Sequence, residues 1–189
     1  MNMIKNILTV AAALLILSSS ATAETDSDAE KFKAAYSLEQ HAEGGWFAEM
    51  YTAPFKRDNR ATAGSIYFLL DKDDVSHFHQ LDCDEIWYYH AGCGIKIFVL
   101  RDGKLEEHLL GIDTRRNQQP MIVIPAGSIF AAENIDKKSF TLVSCATTLR
   151  FNYKGFRLVP RSELKQSYPQ LPEKILRLAY EKIIDGVAH

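Results

Sequence analysis

Ser76-His77-Phe78-His79-Gln80-Leu81-Asp82-Cys83-Asp84-Glu85-Ile86-Trp87-Tyr88-Tyr89-His90-Ala91-Gly92 is the stretch on which the fold turns. Its second half alternates. Glu85, Trp87 and Tyr89 share one face, and Ile86, Tyr88 and His90 the other, which is the period-two signature of a strand. By the same alternation His77 and His79 point to one side of a preceding strand. A turn through Leu81-Asp82-Cys83 then returns the chain, so that Glu85 faces the same interior. Two imidazoles and a carboxylate converging from two strands is an open-sided triad suited to a divalent metal. The same three residues fit equally a pair of hydrogen-bonded pocket histidines beside a buried acid.

The flanking sequence has the same texture. Trp46–Tyr51 follows Gly44-Gly45, and Gly64–Leu70 is a β-branched and aromatic run. Ile95–Leu100 and Leu105–Leu110 are joined through Asp102-Gly103, a strong short-hairpin signal. Met121–Ile124 runs into Pro125-Ala126-Gly127, and Ser139–Thr147 and Phe151–Val159 close the series. Short strands separated by frequent turns predict an all-β sandwich or barrel. At the C-terminus the period changes. Ser162 is placed to cap a short helix, and Pro172 to open a second one carrying Ile175, Leu176, Leu178, Ala179 and Ile183, an apolar cover for the barrel.

With 189 residues, 47% hydrophobic and 24% charged, the chain has the size and composition of one globular domain. A formal charge of −2 offers no electrostatic reason for a nucleic-acid or anionic-membrane partner. Lys5, the apolar run Ile7–Leu17 and the small-residue site Ala21-Thr22-Ala23 read as a cleaved secretory signal, which implies an exported protein, periplasmic or secreted, with no membrane attachment afterwards. The expected organisation is a signal peptide over 1–23, a flexible segment over 24–35, a barrel over 36–170 and a C-terminal helix over 171–189. Cys83 and Cys93 flank a predicted strand whose extended length, roughly 33 Å, exceeds disulfide reach. Cys145 lies in mid-strand, so no disulfide framework is expected.

Five motifs in order resemble one family. They are His41-Ala42-Glu43-Gly44-Gly45-Trp46-Phe47-Ala48-Glu49, Ile66-Tyr67-Phe68-Leu69-Leu70, Phe78-His79, Asp84-Glu85-Ile86-Trp87 and Val123-Ile124-Pro125-Ala126-Gly127. Together they are similar to the fifth family of the cupin superfamily over roughly residues 36–170. The resemblance implies a cupin jelly roll (a double-stranded β-helix) with short C-terminal helices, a homodimer, and a pocket in the barrel mouth. It also departs from the pattern. Ala42 stands where the family has proline, Leu149-Arg150-Phe151 where P-G-F is usual, and Phe130 where the second cupin motif closes with histidine.

Cupins with the full motif hold a metal on three histidines and a glutamate, and Phe130 ligates nothing. A metal-free pocket is therefore expected. The alternative is a divalent metal (Fe, Mn, Ni or Zn) on His77, His79 and Glu85, serving an oxygenase or isomerase. Without metal, His79 and Glu85 are the catalytic candidates, an imidazole beside a buried carboxylate that suits acid–base work of isomerase or epimerase type. Burial of Glu85 calls for a partner, and His79 is the expected one. Phe47, Glu49, Tyr67, His77, Trp87, Tyr89 and Phe130 are expected to line a pocket for a small polar metabolite. A non-catalytic ligand-binding module is the third reading of the same residues.

Overall fold

Residues 28–183 are described by the computed structural model; the predicted signal over 1–23 and the end of the predicted C-terminal helix lie outside them. One sheet has six strands in the order β1 (Glu39–Gln40), β2 (Trp46–Thr52), β5 (Gly64–Leu70), β12 (Thr141–Thr148), β7 (Asp84–Gly92) and β10 (Met121–Ile124). The other has five, in the order β13 (Phe156–Leu158), β6 (Val75–Leu81), β11 (Ile129–Asn134), β8 (Ile95–Arg101) and β9 (Lys104–Leu110). A separate ribbon pairs β3 (Lys56–Arg57) with β4 (Arg60–Ala61). The strand ladders are antiparallel.

The two sheets bury their facing sides against each other. Phe68, Trp87, Ile97, Val99, Ile124, Phe130 and Val143 meet in this inner core. Outside the five-stranded sheet, Phe78, Phe98, Leu100 and Ile129 are covered by α2 (Arg161–Ser167) and α3 (Glu173–Leu176) through Leu164, Ile175 and Leu176. β8 is thus buried on both faces, which is why it reads as the near-continuous apolar run Ile97-Phe98-Val99-Leu100 rather than as an alternation. Its hairpin to β9 turns through Asp102 (φ +51°) and Gly103 (φ +74°), both left-handed as a tight two-residue turn requires.

Residues 28–35, within the segment expected to be flexible and frayed or briefly helical, are helical (α1), and Ala29 is fully buried in a cluster with Leu69, Phe140 and Leu142. Three expectations are revised. The turn after Leu81 carries the chain from one sheet to the other rather than closing a hairpin. Helix α2 has Pro160 at its N-cap with no side-chain cap bond, so Ser162 lies inside the first turn. Helix α3 ends at Leu176, because the Leu178 carbonyl turns to β6, accepting the Phe78 N–H at 3.1 Å and His77 Nδ1–H at 2.9 Å.

The two residues that donate to Leu178 form a β-bulge that decides the site. On β11, Phe130 pairs with His79 and Ala132 with Ser76, so two residues of β6, His77 and Phe78, oppose the single Ala131. The extra residue breaks the alternation. Ser76 and His79 share the inner face, Phe78 packs outward under the helices, and His77 is displaced toward the C-terminal segment. The expectation that His77 and His79 share a face fails for this reason. The His77 N–H, freed from the ladder, donates to the Glu43 carbonyl at 2.7 Å, which ties the turn before β2 to the bulge.

Gly44 makes that close approach, with φ +101° and a hypothetical Cβ only 2.1 Å from the Val75 carbonyl oxygen. Gly103 has a similar backbone angle but open space around it. Gly103→Ala should therefore cost about 1–2 kcal/mol, the left-handed penalty alone. Gly44→Ala should cost about 3 kcal/mol or more, because the neighbour it strikes is backbone. Urea denaturation of the two variants checks the difference.

Candidate functional site

The turn His41–Gly45 is closed by His41 N–H donating to the Gly45 carbonyl (3.1 Å) and Gly44 N–H to the His41 carbonyl (3.0 Å). It presents the Glu43 side chain to the interior beside the bulge, where it is buried. One carboxylate oxygen of Glu43 accepts the Ser76 hydroxyl at 2.9 Å. The other lies 3.4 Å from His41 Nδ1 and 3.4 Å from His79 Nε2. His79 donates Nδ1–H to the His77 carbonyl at 2.7 Å, so Nε2 is the nitrogen left for Glu43. Phe130 closes over His79 with ring centroids 4.0 Å apart.

Glu85 reaches the same cavity from β7. Its Oε2 accepts the Trp87 indole N–H at 2.7 Å, two residues along the same strand face. The expected His79–Glu85 pair is therefore replaced by two separate units. His79 belongs to Glu43, and Glu85 belongs to Trp87. Indole can donate only, so it satisfies either protonation state of the carboxyl without supplying charge.

The two carboxyls are pushed in opposite directions. Burial raises Glu85, the Glu43 charge raises it further, and the Trp87 bond and His41 offset only part, leaving it at about 8. Burial also acts to raise Glu43. There His79, His41 and the hydrogen bonds from His41 and Ser76 overcome it, and its pKa falls to about 2. Of the two imidazoles, His79 is held down chiefly by burial. Burial also pushes His41 down, but the Glu43 charge and bond, with Glu85, outweigh it and raise it. His79 attracts Glu43 fully only when it is itself protonated, which its burial opposes. Glu43 therefore favours the protonated form of His41 more effectively than that of His79.

The cavity is lined by His41, Glu43, Glu85, Phe47, Phe68 and Phe151 at depth, and by Glu49 and Arg150 toward the opening. It leaves about 80 Å³ for water-sized atoms, several times the roughly 10–15 Å³ that one water requires. Arg150 grips Glu49 in a fork, Nε–H to Oε1 at 3.0 Å and Nη2–H to Oε2 at 2.7 Å. Of the residues expected in the pocket, Phe47 and Glu49 line it together with Glu85. His79 and Phe130 lie behind Glu43 in the core. Trp87 is core and holds Glu85. Tyr67 packs outside the barrel on Tyr36, and Tyr89 donates its hydroxyl to the Gly92 carbonyl. His77 stacks on Tyr180 at 3.8 Å between centroids.

Sequence reasoning missed His41, Glu43 as an acid, Arg150 and Phe151. His41 and Glu43 stand two apart immediately before Gly44-Gly45, a spacing that lets both face one side of a tight turn.

The residues matched by the family model described as Cupin superfamily (DUF985) run from 30 to 159. The chain belongs to this cupin family. Two solved structures are similar to this cupin. A protein from Shewanella oneidensis is 34% identical with a TM-score of 0.77, the alignment covering 81% of this chain and 98% of that one. A hypothetical protein from Leishmania major is 29% identical with a TM-score of 0.75, over 80% and 98%. A capsular polysaccharide assembling protein from Staphylococcus aureus, 12% identical with a TM-score of 0.50 over 64% of this chain and 30% of that one, shares the fold alone. No curated protein matches the cupin.

The metal that cupins commonly hold finds no fitting ligand set in these residues. His77 is turned to Leu178 and Tyr180, Phe130 takes the closing histidine position, and the Glu85 carboxyl is engaged by the Trp87 indole. Among the described residues no group of three or more His, Cys, Asp or Glu could hold a metal ion. Cys83, Cys93 and Cys145 are free thiols.

The two carboxyls give stability opposite pH dependences. Glu43 is depressed, so its contribution is present above its unfolded value near 4.5 and is lost as pH falls toward 2. Glu85 is raised, so the folded state is favoured below 4.5 and loses stability as pH rises from there through 8. Glu85→Gln should remove the second slope and leave the variant more stable than the wild type at pH 8.5 but not at pH 5. Urea denaturation at the two pH values reads the crossover.

Proposed function

We propose that this cupin is an exported protein that binds a small polar metabolite in its barrel mouth and moves protons on it, without metal, in an isomerase or epimerase reaction. The observation that carries this reading is the pair of carboxyls, Glu43 and Glu85, in one apolar cavity with protonation driven apart. Groups whose surroundings separate their pKa values in this way are suited to opposite roles. Glu85, protonated at neutral pH, is the acid. His41, whose Nδ1 lies 3.4 Å from the Glu43 carboxylate and 3.4 Å from the Glu43 backbone nitrogen, is the base, and Glu43 stabilises the imidazolium that forms.

With a 2-hydroxy carbonyl substrate, His41 takes the proton from the hydroxyl-bearing carbon while Glu85 gives its proton to the carbonyl oxygen, forming an enediol. The enediol's other hydroxyl then returns a proton to Glu85 as its oxygen becomes the new carbonyl. His41 delivers its own proton to the former carbonyl carbon, so the carbonyl has moved by one carbon and both groups end as they began. Phe47, Phe68 and Phe151 exclude water and keep the two proton carriers poorly solvated. The cost of these burials is borne by the bonds from Ser76 and Trp87.

Solvent deuterium wash-in against a panel of hydroxy-aldehydes, hydroxy-ketones and sugar derivatives tests this. The wild type should label at least one of them, with a rate that falls above pH 8 as Glu85 ionises. His41→Ala and Glu85→Gln should each slow labelling by about 10²–10⁴-fold. A ligand that stabilises the wild type yet returns unlabelled, and binds Glu85→Gln equally well, would leave a plain binding protein.

A further inference from the structure

We propose that the outer end of the pocket is an anion subsite that recognises a phosphoryl group, so that the substrate is a phosphorylated small metabolite. The inference rests on the reading of the inner cavity given above and names its substrate class. A second cavity adjoins the first and shares Arg150 and Phe151 with it as lining. It offers about 350 Å³ to water-sized atoms, against about 80 Å³ inside. Its other side chains include Lys56, Asn59, Arg60 and Asn152, with no carboxylate among its lining residues.

The cations differ in what they offer. Arg60 is fixed by a fork onto Asp82 (2.7 and 2.9 Å) and by Nε–H to the Arg150 carbonyl at 2.5 Å. Arg150 is fixed by Glu49 through Nε and Nη2, and its Nη1 makes no bond among the described residues. Both guanidiniums are pre-set, so little side-chain freedom is lost when an anion arrives. Lys56 is exposed and pairs with no described carboxylate, and it supplies the uncompensated charge. Gly64 keeps Arg150 in place, since a Cβ there would sit 2.8 Å from Arg150 Cγ.

The β3–β4 turn brings Asn59 to the same rim with φ +64°, after Asp58 at φ +51°. A roomy cavity bordered by a free ammonium, a fixed guanidinium edge and two amide side chains suits the three terminal oxygens of a phosphoryl group better than the two of a carboxylate. The substrate then spans the shared wall at Arg150 and Phe151. Its anion sits outside with Lys56, and its reacting carbon reaches His41 and Glu85.

Titration of the full chain with inorganic phosphate and, separately, acetate, followed by calorimetry at low salt, tests the subsite. Phosphate should bind more tightly than acetate, and Lys56→Glu should weaken it by about tenfold or more, by charge reversal in contact range. Asn59→Gly keeps the turn geometry and removes one amide, so it should weaken phosphate by a smaller factor. Glu49→Gln keeps an acceptor for Arg150 but removes a negative charge beside the subsite, and should tighten phosphate binding. Lys104→Glu, the same charge change on the distant β8–β9 turn, should have no effect. Absence of phosphate binding, equal affinity for acetate, or equal loss in the Lys56 and Lys104 variants overturns the subsite. Phosphate binding that depends on Lys56 in a protein without deuterium wash-in would uphold the subsite while removing the acid–base reading of the inner cavity.

Discussion

A single buried carboxylate, that of Glu43, organises the inner end of the barrel. An ionised carboxylate taken out of water loses several kcal/mol of solvation unless charge and hydrogen bonds are rebuilt around it. Here they come from three directions: His41 on its own turn, and Ser76 and His79 on β6. Ser76 and His79 can serve together only because the strand between them is bulged. The bulge in turn frees backbone groups that are taken up by the Glu43 carbonyl and by Leu178. The turn before β2, the irregular strand and the early end of α3 are consequences of one electrostatic requirement.

Glu85 shows the other outcome of the same physics. It is as deeply buried as Glu43, but its hydrogen-bond partner is a neutral indole and the charge acting on it most strongly is another carboxylate. It therefore keeps its proton at neutral pH while Glu43 loses its own. Apolar walls from Phe47, Phe68 and Phe151 sustain the difference, since water would pull both groups back toward ordinary values. The rim is built on the opposite principle. Its arginines are held by exposed carboxylates, and these surface pairs contribute orientation more than stability.

Much of the barrel was legible because strand periodicity is a local property. The alternation in Glu85–His90, the Asp102-Gly103 turn and the apolar run of β8 each follow from a few adjacent residues, and the structure has strands at the first and last and a hairpin turn at the second. Phe47, Glu49 and Glu85 were legible as pocket residues for the same reason. His77 was misread because alternation assumes an unbroken strand, and one inserted residue exchanges His77 for Ser76 on the inner face. The Leu178–Ile183 part of the expected helix was misread likewise. Its apolar spacing is helical, but a carbonyl claimed by β6 is not available to the helix.

By itself, then, the sequence determined the all-β class, the positions of many of the strands along the chain, the family, and the presence of a carboxylate that would be buried on β7. These follow from side-chain period and turn chemistry, which act over neighbouring residues. Only the tertiary structure decided which imidazole meets which carboxylate, which carboxyl keeps its proton, and that Arg150 joins Lys56 and Arg60 at one rim. Pairings and pKa values depend on distances between residues far apart in the chain, across two sheets and a bulge. No local pattern encodes those distances.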